Sequence, residues 1–255
     1  MKKISSSEKL LRDNIRLIAN PEQTLVMGIG QVRGHHWLPM ILPTFCSIHP
    51  DVNIQVLQGA ETYMSEALQK RQIDVVFGVL PAPASGIVTE DLMHEALFLV
   101  AHKKFGLVPD AERPLISAAH PYVLEPETLN GLPFIIPQVS NGLYGSYESL
   151  IAGNGIQPSR TISVSNLNTG LQLAVAGLGV QLVSGSIFQL GKNEFAREAL
   201  DFCVLENMPA TRKCVAAYSR DNVKIHLIQD VIRIVRQEVL GKCELVQVIS
   251  PDNQK

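Results

Sequence analysis

The sequence predicts an α/β fold in two successive parts, and two observations carry that reading. In the early part of the chain, apolar strand-like runs alternate with amphipathic helical stretches in the order strand, helix, strand, helix, strand. Each crossover is short, so parallel strands with right-handed connections are expected. After a Pro/Gly break at LPAPASG (80–86), the strand–loop–helix pattern starts again. At 255 residues the chain has room for one domain or two of about 100 to 150 residues each, enough to bury a real core.

Composition narrows the function classes. Hydrophobic residues make up 46% and charged residues 18%, with a formal net charge of −2, so the chain is globular and nothing global recruits nucleic acid or an anionic membrane. No apolar run approaches the roughly 20 residues that span a bilayer. Met1-Lys2-Lys3 is followed by SSSEKLLRDN and not by a secretory apolar region, which reads as cytoplasmic. The four cysteines, Cys46, Cys203, Cys214 and Cys243, show no CxxC or metal-ligand spacing and are expected as reduced structural thiols, with Cys46 on the apolar side of a helix.

Taken in order, residues 7–19 (SEKLLRDNIRLIA) form an amphipathic helical piece with Leu10, Leu11, Ile15 and Ile18 inward, ended by Asn20-Pro21. Thr24, Leu25, Val26 and Met27 suit a buried parallel strand, and Gly28 and Gly30 are expected to free the backbone to turn. Proline inside a helix costs on the order of 3 kcal/mol, so Pro39 places the next helix later, with Trp37, Leu38, Ile41, Leu42 and Phe45 as its apolar face and His49-Pro50 as its stop. Gln31 to His35 then form a turn at the strand's carboxyl end, where open α/β sheets bind ligands. Asn53 to Leu57 alternates as a strand, Glu61 to Arg71 is helical, and Ile73 to Val79 is a third strand. Ala96 to His102 is a strongly apolar strand able to carry the chain into a second lobe.

In that second lobe, Leu132 to Ile136 is a strand, PQVSNG (137–142) a loop, and Leu143 to Ala152 a helix ended by Gly153-Asn154-Gly155. Arg160 to Val164 is a strand leading into Asn166-Leu167-Asn168-Thr169, which can cap a helix from Gly170 to Ala176. Gly177-Leu178-Gly179 turns tightly, with a positive φ expected at Gly177, into the strand Val180 to Val183. Cys214 to Tyr218 reads as a strand, and Val223 to Leu240 as a long helix whose Leu227, Ile228, Val231, Ile232 and Val235 face a core in the first lobe.

The candidate chemistry is sparse. Gly28 to Gly34 spells GxGxxxG after a strand, but the second strand ends in Leu57-Gln58 with no acid at its tip to hold a ribose, which argues against a nicotinamide enzyme. His35 and His36 are adjacent, so their side chains diverge, and no HxxxH partner exists for a metal. Ser140, Ser146, Ser184 and Ser186 lie outside any GxSxG motif and read as caps and hydrogen-bond donors. Arg33 is the one guanidinium predicted at a strand's carboxyl end; it either clamps a carboxylate or is a solvated surface arginine. No catalytic residue, metal or cofactor is expected, and the chain does not read as an enzyme.

Several motifs together carry a resemblance. Leu38-Pro39, Leu42, Phe45 and Pro50-Asp51-Val52 give LPxxLxxFxxxxPDV, later followed by Ile73-Asp74-Val75-Val76-Phe77-Gly78. Ala174 to Val183 reads AxAGxGxxLV. In this order and spacing, from about residue 10 to 240, they resemble the effector-binding domain of LysR-type bacterial transcriptional regulators. The resemblance implies a fold like the type 2 periplasmic binding proteins: two α/β lobes, each a mainly parallel sheet flanked by helices, joined by two crossing strands around a ligand cleft. It divides the chain into a linker-helix end (1–22), a first lobe (23–98 and 214–242), a second lobe (99–213) and a tail (243–255).

Matching positions imply effector contacts from Gln31, Val32 and Arg33, from Ala60 and Glu61, and from Val79 in the first lobe. In the second lobe they imply Gln138, Val139 and Ser140, Asn166 and Asn168, and Ser184. Strand carboxyl ends and helix amino ends would turn free N–H groups into the cleft, which suits a small anionic metabolite. The resemblance also implies a homodimer, or a tetramer for a full-length protein, paired through the first lobe. About 20 residues precede the first strand and show no winged helix-turn-helix, so this chain by itself is expected not to bind operator DNA, whether it is an excised fragment or a stand-alone module. Residues 141–165 hold no cysteine pair of the peroxide-sensing kind. A transport-type solute-binding protein and a cleft enzyme of the same fold remain the alternatives.

Overall fold

The structure is a computed structural model that describes residues 23–80, 84–115, 120–139, 141–185, 198–206 and 211–240, and the backbone of 246–248. The helical piece at 7–19, Ser140, Ser186 and Cys243 lie outside the described residues.

The first lobe begins with strand β1 (Thr24–Ile29), helix α1 (Gln31–Ile48), β2 (Asn53–Gln58), α2 (Glu61–Gln69) and β3 (Val75–Gly78). The strands stand in the order β2-β1-β3, all parallel, as short right-handed crossovers require. Strand β4 (Ile87–His102) then runs 16 residues from one lobe into the other. Its antiparallel partner β10 (Thr211–Ser219) makes the return crossing and pairs with β3 on its other side. The chain closes on the first lobe with α5 (Ile225–Ile234) and one π turn (Val235–Val239).

The second lobe comprises β5 (Tyr122–Leu124), β6 (Pro133–Pro137), α3 (Tyr144–Gly153), β7 (Arg160–Val164), α4 (Leu167–Val175), β8 (Val180–Ser184) and β9 (Leu200–Leu205). β6 lies between β7 and β8, parallel to both, and the far half of β4 pairs antiparallel with β8 and β9. A last strand, β11 (Val246–Val248), lies antiparallel to β4 at Met93–Glu95, where the chain passes between lobes.

Each lobe has its own core. On one face of the first sheet, Trp37, Ile41 and Phe45 of α1 meet Leu227, Ile228, Val231, Ile232 and Val235 at the C-terminal helix. On the other face, Met64, Ala67 and Leu68 of α2 pack on Val76, Val215 and Ala217. In the second lobe, Leu97 to Ala101 of β4 are buried with Phe134, Ile135, Leu171 and Val180. Full burial of such side chains contributes about 1.5–3 kcal/mol each against chain entropy.

Several sequence expectations need correction. α1 starts at Gln31, so Gln31 to His35 are its first helical turn and not a separate loop, and both Pro39 and Pro43 lie inside the helix. The two prolines are exposed and four residues apart, so the carbonyls they leave unbonded face water, while Trp37, Ile41 and Phe45 fill the core on the opposite side. Those core residues also fix the helix's rotation and leave Cys46, about 100° beyond Phe45, exposed instead of on the apolar side. Gly28 is part of β1 and Gly30 is the helix N-cap at φ −62°, so neither makes a left-handed turn. Gly28 serves close packing: a Cβ there would lie 3.0 Å from Ile73 Cδ1.

Other boundaries moved. α4 begins at Leu167, with Asn166 alone as its cap, and β4 begins at Ile87 rather than Ala96. β5, β9 and β11 had no counterpart in the sequence reading. Gly177 does adopt a left-handed φ of 74° at the end of α4.

Candidate ligand cleft

The amino ends of α1 and α2 and the carboxyl end of β8 meet where β4 and β10 cross. Gly30 and Ala60 provide no side-chain cap for the first N–H groups of α1 and α2, and the amino ends of both helices border the gap between the lobes. From the second lobe come Asn141, Gly142 and Leu143 before α3, and Ser165 and Leu167 before and within α4. Together they line a half-open cavity of about 290 Å³.

Its floor is a charged cluster. Arg33 projects from the first turn of α1, and its guanidinium carbon stands 5.4 Å from the ring centroid of Trp37, one turn further along the helix. Only 7% of Arg33 is exposed, and its Nη2 donates to Glu95 Oε2 at 3.2 Å. Glu95, on β4, is fully buried and stands in register with Arg212 on β10. Arg212 Nη2 donates to the same Glu95 oxygen at 3.0 Å, while its Nη1 donates to the Gly142 carbonyl at 3.0 Å and lies 3.9 Å from Glu61 Oε1. Glu95 thus anchors two guanidiniums at the point where the lobes join. Nε of both Arg33 and Arg212 is buried without a hydrogen-bond partner.

Burial raises the Glu61 carboxyl above its ordinary value, against the pull of Arg212, Arg33 and the Val79 N–H, and Glu95 adds to the rise. Behind the cluster, burial pushes the Cys214 thiol up to about 11, which keeps it protonated near neutrality.

Of the residues that the resemblance singled out, Gln31, Val32, Arg33, Ala60, Glu61 and Ser184 line this cavity. Val79 stands just behind it, with its N–H toward Glu61. Gln138, Val139, Asn166 and Asn168 do not line it. Val139 is 76% exposed, and the Asn166 side chain is spent on its own helix, accepting from the N–H groups of Asn168 at 2.8 Å and Thr169 at 3.3 Å. The solvated-surface reading of Arg33 is corrected: Trp37 and Glu95 hold it inside. Sequence reasoning missed Glu95 and Arg212, which lie 117 residues apart and meet only because the two crossing strands pair. The available signal was a charged residue at the edge of each apolar run, EALFLVAH and TRKCVAAY.

Among the described residues, no group of three His, Cys, Asp or Glu side chains is placed to hold a metal ion, and no helix is long and apolar enough to cross a membrane.

Comparison with known proteins fits this geometry. The profile of the LysR substrate binding domain matches residues 19–240. The HTH-type transcriptional regulator ClcR of Pseudomonas putida is 25% identical over 194 residues, covering 74% of this chain and 59% of ClcR. The chain therefore spans less than two thirds of the length of that regulator. Among solved structures, reduced OxyR from N. meningitidis aligns with a TM-score of 0.67 at 18% identity, over 89% of this chain and 99% of that one. The CcmR regulatory domain of Synechocystis PCC6803, solved in complex with 2-PG, aligns with a TM-score of 0.67 at 12% identity, over 84% of this chain and 96% of that one. The curated relatives are named as transcriptional regulators, not as enzymes. With its two α/β lobes, its paired crossing strands and a domain profile that spans most of its length, this chain belongs to the LysR substrate binding domain family.

Proposed function

We propose that this chain is the effector-sensing part of a cytoplasmic transcriptional regulator that takes a small anionic metabolite into the cavity between its lobes. The observation that carries the reading is the convergence of Arg33 and Arg212 with the uncapped amino ends of α1 and α2 on one cavity. Guanidiniums and helix amino ends both favour anions, and in a low-dielectric cleft they act together. A cavity of about 290 Å³ suits a metabolite of modest size. The named relatives are regulators, and CcmR was solved with 2-PG at its regulatory domain, which supports a metabolite as the signal.

Ligand contacts reach both lobes, so a bound ligand favours one lobe arrangement over others, and that preference passes to a DNA-binding segment of a longer protein. The domain pairs as a homodimer through its first lobe.

The test is a thermal-shift screen of the purified chain against carboxylates, amino acids, sugar phosphates and nucleotides, with each hit checked for turnover. Saturation at about 100 times the dissociation constant stabilises the fold by roughly 2.7 kcal/mol. A stabilising compound that stays chemically unaltered is the expected result. Consumption of the compound would instead establish a cleft enzyme, and stabilisation by uncharged ligands alone would overturn the anionic reading.

A further inference from the structure

One member of the charged cluster is itself an anion in the cavity. Glu61 opens α2 in the first lobe, yet its carboxylate lies so close to Gly142 of the second lobe that a Cβ at Gly142 would overlap it. Arg212 spans the same junction, donating to the Gly142 carbonyl at 3.0 Å and standing 3.9 Å from Glu61 Oε1. The carboxylate thus bridges the two lobes at the cavity wall.

The charge balance makes this position meaningful. Arg33 and Arg212 are matched by Glu61 and Glu95, so an incoming carboxylate finds both cations already neutralised. Glu95 cannot give way, because it is fully buried and holds both guanidiniums on one oxygen at 3.0–3.2 Å. Glu61 can: its side chain is 21% exposed and its ion pair is the loosest of the three. We propose that the Glu61 carboxylate is the resident occupant of the anion subsite, and that a ligand carboxylate binds by displacing it from Gly142 and Arg212.

This rests on the reading of the cavity as an anion cleft, and it adds the determinant of which anions succeed. A ligand must outcompete a tethered carboxylate, so weak monocarboxylates are rejected unless Glu61 is neutralised. The groups facing Glu61 are Arg212 on β10, Arg33 on α1, Glu95 on β4 and the Val79 N–H after β3. Burial among them raises its proton affinity, so uptake of a proton by Glu61 eases displacement as pH falls.

The experiment uses acetate, the simplest carboxylate, titrated into the ¹⁵N-labelled chain while the side-chain Nε–H signals of Arg33 and Arg212 are followed, with sodium chloride as ionic-strength control. Wild type is compared with Glu61→Gln, which removes the charge, and with Glu61→Ala, which removes the carboxylate and leaves the subsite beside Gly142 open; a folding defect in one leaves the other to decide. At about pH 8 acetate should bind both variants roughly five- to tenfold tighter than wild type. Equal affinity in all three proteins overturns the displacement while leaving the anion cleft intact. Absence of any saturable shift at either arginine, in every variant, overturns the cleft reading and the displacement together.

Discussion

Arg212 and Glu95 face each other across the two strands that join the lobes, Nη2 to Oε2 at 3.0 Å, with the carboxylate wholly buried and Arg33 on the same oxygen. Removing the shared anion leaves two guanidiniums facing each other in a buried setting. Glu95→Ala should therefore cost about 3–5 kcal/mol, read as a lower urea midpoint. A loss under about 1 kcal/mol would mean that water or a ligand reaches the pair freely.

Arg33 offers a planar fork held over Trp37, which lysine cannot reproduce. For a carboxylate that stabilises the chain in the thermal screen, Arg33→Lys should raise Kd by about tenfold, or more, by calorimetry. Unchanged affinity would remove Arg33 from the ligand's reach.

Burial separates the cysteines. Cys203 is pushed up to about 12 and Cys214 to about 11, while Cys46 is exposed. In a Cys243→Ser background, an alkylating reagent near neutral pH should modify Cys46 quickly and the other two only on unfolding. Rapid labelling of Cys214 would show that the floor of the cleft opens to solvent.

Gly177 holds φ at 74° where α4 turns into β8, and a side chain there would also meet Lys104. Gly177→Val should destabilise the fold by about 1–3 kcal/mol. A melting temperature equal to that of wild type would show that the turn can be rebuilt without the left-handed residue.

Because burial raises the Glu61 carboxyl above its unfolded value of 4.5, its linked stability is fully present below that value and is lost as pH rises through the folded one. The urea midpoint of Glu61→Gln should therefore gain on that of wild type as pH climbs from about 5 to 8. A difference that shrinks over that interval would give the shift the opposite sign.

The fold was largely legible because its strands are short apolar runs and its helices carry one apolar face, as Trp37, Ile41 and Phe45 do. Legibility failed where tertiary partners override local signals. The first half of β4 reads as polar, yet Glu90 accepts from Tyr218 at 2.9 Å, Asp91 pairs with Lys213 at 3.0 Å and Glu95 with two arginines. Pro39 argued for a late helix start because local cost was weighed without the core it faces away from. In the cleft, residues at strand and helix ends could be placed, since those ends converge by topology. Arg212 could not, because its role comes from a cross-strand register. The Asn166 side chain, a plausible ligand contact by position, is taken by the N–H groups of its own helix.

Trp37 is the chain's one tryptophan, 1% exposed, with the Arg33 guanidinium carbon 5.4 Å from its ring centroid. A cation at that distance perturbs the excited indole, whose emission energy depends on nearby charge. Any event that pulls Arg33 toward an incoming anion, or neutralises it, must therefore change the colour or yield of the protein's own fluorescence. If an anion engages Arg33, the indole one helical turn away should report it without a label.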